Sequence, residues 1–106
     1  MSVSIVPEGG QTVYQVLDDL GKFGHVWREL TEDETNEEAI LQGIVQGQFT
    51  RPLRVVAFNT HEGWSRDTTL ESAWKILEMS HHGTVLSPAA TEFVGRMTGE
   101  SPVVAV

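Results

Sequence analysis

The segment that most restricts the fold is 53–58, LRVVAF. Apart from Arg54 it is apolar at odd and even positions alike. A strand points successive side chains to opposite faces, so both faces of this one call for cover. The stretch 12–17, TVYQVL, has the same character. Val13, Gln15 and Leu17 alternate with Tyr14 and Val16, leaving both sides largely apolar. It ends in Asp18-Asp19.

Three helices are predicted by their caps and spacing. The first runs over about 36–46, with Thr35 and Glu38 as a capping box and Gly47 as its stop. Ile40, Leu41, Ile44 and Val45 form its apolar face. The acidic stretch 31–38, TEDETNEE, reads as a solvated link leading into that helix, its charges matched to the positive dipole end. The second helix spans about 68–80, with Thr68 and Glu71 as its capping box and Leu70, Ala73, Trp74 and Leu77 as its buried stripe. The third begins at Ser87-Pro88, an N-cap followed by proline at the first helical position. Ala90, Phe93, Val94 and Met97 face the core, and Gly99 ends it.

Residues 20–31, LGKFGHVWRELT, admit two readings. Leu20, Phe23, Val26, Trp27 and Leu30 fall at helical spacing, which favours a helix, although Gly21 and Gly24 each weaken one by up to about 1 kcal/mol. The rival is a hairpin that turns at 20–24 and returns as a strand over 25–30.

The resulting order is strand, helix, helix, strand, helix, helix, an α/β (or α+β) two-layer domain. A crossover between the strands points to parallel pairing. Two strands alone make a poor sheet. Residues 25–30, a terminus or a second copy of the chain would complete it, so homodimerisation is an expectation. Residues 1–10 read as a flexible lead-in, in which 3–6 could add an edge strand. Residues 11–98 form the domain, and 99–106 a loose tail whose VVAV could pair with a sheet edge.

Composition narrows the function. Acidic residues outnumber basic ones 15 to 7, for a formal net charge of −8. Nucleic-acid binding relies on Lys and Arg against phosphates, and an anionic membrane surface asks for the same charge. Both are disfavoured, whereas a basic protein partner is not. The 0 cysteines exclude thiol catalysis, disulfides and cysteine zinc sites. No apolar run approaches a membrane span, and the start of the chain lacks a signal-peptide pattern. The cytoplasm is the expected compartment.

The most distinctive stretch is 55–67, VVAFNTHEGWSRD. In open α/β sheets ligands bind beyond the carboxyl ends of strands, and a helix start offers free amides to an anion. With parallel strands, Asp18, Asp19, Asn59, His61, Glu62, Trp64, Arg66 and Asp67 would share one crevice. Arg66 would then hold an anionic group, Trp64 would stack on a flat ligand, and His61 or Glu62 would move a proton. The structural alternative gives each an ordinary duty. Asp67 caps the helix, Asn59 fixes the loop, Trp64 covers the core edge and Arg66 pairs with a carboxylate.

No metal or cofactor is expected. His81 and His82 are adjacent and so diverge on a helix, HExxH is absent, and so are GxGxxG, P-loop and GxSxG patterns. Ser65 has His61 four residues earlier, without an orienting third group.

The segment VVAFNTHEGWSRD, with LDDLGKFGHVWRE and IVQGQFTRPLR, resembles a family of small uncharacterised bacterial proteins of proteobacterial type. The resemblance covers about residues 12–80. It implies a bacterial cytoplasmic origin and carries over no activity and no functional residue. The sequence therefore leads to a non-enzymatic interaction or regulatory module, binding a protein partner or itself. The alternative is a binder of a small anionic ligand, or a minor enzyme, using the loop 59–67.

Overall fold

The computed structural model describes residues 12–102. Its elements are β1 (Val13–Asp19), β2 (His25–Trp27), α1 (Glu37–Val45), β3 (Pro52–Asn59), β4 (Trp64–Asp67), α2 (Thr69–His81) and α3 (Pro88–Thr98). They form a mixed α/β domain with a four-stranded sheet in the order β2-β1-β3-β4. The lead-in at 1–10, the strand suggested at 3–6 and the pairing suggested for the tail at 103–106 lie outside the described residues.

Each pair of neighbouring strands is antiparallel, which corrects the parallel pairing expected for the first two strands. The reason lies in residues 20–31. They form a hairpin rather than the favoured helix, with a short 3-10 turn at Gly21–Phe23 leading into β2. Gly21 and Gly24 have φ of 66° and 86°, a region open to glycine and costly to other residues. That turn reverses the chain. Helix α1 then carries it to β3 on the far side of β1. The parallel relation implied by a crossover therefore falls between β2 and β3, with β1 between them.

A second correction concerns 59–67. It is a hairpin turn and a fourth strand rather than a loop. Asn59 fixes the turn, its carbonyl accepting from the Gly63 amide at 2.8 Å and its side chain from the Glu62 amide at 2.8 Å.

The caps differ in two of three helices. Asn36, not Thr35, caps α1, its side chain accepting from the Ala39 amide at 2.9 Å. At α2, Thr68 donates its hydroxyl to the Val55 carbonyl instead of capping. Asp67 accepts from the Thr69 amide at 2.8 Å in its place. Ser87 caps α3 as the sequence predicts, with Pro88 next and Gly99 ending the helix in the left-handed region.

Val16 and Val55 meet Ile40, Ile44, Val45, Phe49, Ala73, Ile76, Leu77, Ala90, Phe93 and Val94 in one core on a single face of the sheet. Each large side chain buried there contributes about 1.5–3 kcal/mol. Helix α2 is rotated from its expected stripe. Thr69, Ser72, Ala73, Ile76, Leu77 and Ser80 are buried, while Leu70 and Trp74 are 52% and 45% exposed. The Thr69 hydroxyl accepts from the Val55 amide at 2.9 Å and locks the first turn of α2 to β3, turning Leu70 outward.

Candidate functional site

The antiparallel order separates the residues expected to line one crevice. Asp18 pairs in register with Pro52 at the beginning of β3, whereas Asn59 ends β3. Asp18 and Asp19 therefore lie at one end of the sheet, and Asn59, His61, Glu62 and Trp64 at the other. Arg66 and Asp67 follow along β4 as neighbours in a strand, so they point to opposite faces. The shared crevice does not form.

Their contacts are structural. Asp18 is fully buried, and its carboxylate accepts from Arg28 Nη1 at 2.6 Å, the Thr50 amide at 2.9 Å and the Arg51 amide at 2.7 Å. It thereby ties β1 to the turn that enters β3. Asp19 accepts from the Gly21 amide at 2.8 Å. That hydrogen bond, with His25 and Arg51 beside it, holds its carboxyl below the ordinary carboxylate range. Glu62 accepts from the Trp64 indole at 2.8 Å, and Arg66 pairs with Glu71 at 2.9 Å. Asp67 faces Arg54 at 3.5 Å, and His61 is exposed in the turn.

A polar cluster that the sequence reading missed sits where β1, α1 and α2 meet. Glu37 accepts from Lys75 Nζ at 2.6 Å and from the Tyr14 hydroxyl at 3.4 Å. The Glu37 contact holds the Lys75 ammonium above its ordinary pKa, and burial, then Glu37, pushes the Tyr14 phenol up. Its charges are matched within the cluster. Among the described residues, no buried side-chain nitrogen or oxygen lacks a hydrogen-bond partner.

The unusual surface is the other face of the sheet. Register places Trp27 opposite Leu17, Val13 opposite Phe58 and Gln15 opposite Val56, all turned away from the helical core. Gln15, Trp27, Val56 and Phe58 line an open, mainly apolar depression of about 300 Å³. Trp27 is 51% exposed. An antiparallel sheet with one solvated face ordinarily carries polar residues there. Here Val13, Leu17, Val56, Phe58 and Trp27 occupy it. Its charged groups are paired: Arg54, in register with Leu17, meets Asp67, in register with Val56, at 3.5 Å, and Asp19 meets Arg51 at 3.4 Å toward the end of β1. The two-sided apolarity of 13–17 and 53–58 is the sequence signal for this face.

No family model matches the chain, and neither the curated proteins nor the solved structures contain a match to it. Among the described residues, no helix is long and apolar enough to cross a membrane.

Proposed function

We propose that this chain is a non-enzymatic protein-interaction module of the bacterial cytoplasm, and that its binding element is the outer face of the sheet. One observation carries the reading. Strands β1 and β3 are apolar on both sides, the three helices pack into a core on one side, and the other presents Val13, Leu17, Val56, Phe58 and Trp27 around an open depression. Contiguous apolar surface of this kind marks protein interfaces. The polar groups first expected to handle a ligand support the same reading, because Asp18, Asn59, Glu62 and Arg66 are engaged in turns and ion pairs.

The test is site-specific photo-crosslinking in cells that make the protein. A benzophenone side chain replaces Phe58 on the sheet face or, as a control, Glu78 on the exposed side of α2. The expected result is an intermolecular adduct from position 58 and none from 78. Absence of any intermolecular adduct from 58 overturns the proposal.

A further inference from the structure

We infer that the occupant of the outer sheet face is a second copy of this chain, packed sheet against sheet about a two-fold axis. The inference rests on the interaction-face reading above and names the partner.

Charge is the first argument. The formal net charge is −8, so two copies repel when they approach through most of their surface. On the outer face the charged groups of the strands and their rim cancel. Arg54 neutralises Asp67, and Arg51 neutralises Asp19. Gln15, at the middle of β1, is polar but uncharged. Copies that meet through this face therefore add no net charge at the contact to their overall repulsion.

Geometry is the second. With strands about 4.8 Å apart and a rise of about 3.4 Å per residue, the four strands present a planar face on the order of 350 Å². In projection a face-to-face pair therefore covers on the order of 700 Å² in total, the size of a weak, transient contact rather than of a permanent one. Twisted antiparallel sheets pack in this way at about 10 Å, with side chains interdigitating. A two-fold arrangement uses the same patch twice, so the cover that β1 and β3 call for is supplied by their own counterparts.

A contact of that size predicts a weak, reversible dimer. Analytical ultracentrifugation of the full chain is expected to show twice the 11.7 kDa chain mass at hundreds of micromolar and dissociation on dilution. Adding salt from about 20 to 300 mM is expected to tighten it several-fold, because screening removes the repulsion between two acidic copies. Gln15→Glu keeps the side-chain volume and places like charges in the contact. It is expected to weaken the dimer at least tenfold with the far-ultraviolet circular dichroism unchanged, and Phe58→Glu is expected to do the same or more. A folded monomer at about half a millimolar overturns the inference, as does a dimer that survives both substitutions. The crosslink at position 58 separates the two readings. An adduct of twice the chain mass supports the dimer. An adduct with a different protein overturns the dimer and leaves the interaction face standing. No intermolecular adduct overturns both.

Discussion

The fully buried carboxylate of Asp18 receives the guanidinium of Arg28 at 2.6 Å, and the same carboxylate holds the Thr50 and Arg51 amides. Three segments distant in sequence are thereby pinned by one side chain: the end of β1, the residue after β2, and the turn into β3. Asp18→Ala leaves the two amides without their acceptor and the cation without its partner. Buried donors stripped in this way cost about 1–3 kcal/mol each. The expected loss is about 3 kcal/mol of unfolding free energy in urea titration. A change under about 1 kcal/mol contradicts the structural role.

The rotation of α2 separates two leucines on one helix. Leu77 is 4% exposed and Leu70 is 52% exposed. Leu77→Ala is expected to cost about 2–5 kcal/mol, the range for a core leucine. Leu70→Ala is expected to stay within about 1 kcal/mol. Thermal melts of the two variants decide between the observed rotation and the stripe predicted from spacing.

The cap of α1 is testable by one substitution. Asn36→Ala removes the acceptor for the Ala39 amide and is expected to cost about 1 kcal/mol. Asn36→Asp retains an acceptor at a helix start and is expected to hold the loss to a few tenths of that. Equal melting temperatures for wild type and Asn36→Ala would remove Asn36 as the cap.

Stability is expected to fall at both extremes of pH, for opposite reasons. Asp19 and Glu92 have folded pKa values below their ordinary ones, chiefly through the Gly21 amide and the Arg96 side chain. Their contribution is present above the ordinary carboxylate range and is lost as pH falls through the lowered values. Lys75 and Tyr14 are raised, by the Glu37 contact and by burial respectively. Their contribution is complete below the unfolded values and is lost as pH rises through the folded ones. Glu37→Gln is expected to flatten the alkaline slope above about pH 10 and to lower the tyrosinate midpoint read by ultraviolet absorbance. An unchanged midpoint would show that Glu37 does not act on Tyr14.

Much of the architecture was legible because it is encoded locally. The strand at 53–58 could be read from apolar residues at both parities. Helix α3 could be read from Ser87, Pro88 and Gly99, which act on the few backbone groups beside them. The cap of α1 was misplaced by one residue, and at α2 the sequence offered both Thr68 and Asp67, because several neighbouring polar side chains compete for the same amides and the competition was settled elsewhere. Thr68 and Thr69 were taken up by the Val55 backbone, leaving Asp67 to cap. The grouping of Asp18 with Asn59 failed for a larger reason. It depended on strand direction, which the turn at Gly21–Phe23, part of the hairpin that stood as the rival to a helix over 20–31, reversed.

By itself the sequence determined that this is a small acidic α/β chain whose first and third strands demand cover on both faces. Hydrophobic period and turn chemistry fix such properties within a few residues. Tertiary structure decided the direction of the strands, the burial of Asp18 and the side on which the helices lie. Those depend on pairings between residues dozens of positions apart, whose stability comes from packing. The demand for two covers is written in 53–58. That the helices supply one of them, and that Trp27, Val56 and Phe58 line an open depression on the opposite side, is known only from the folded chain.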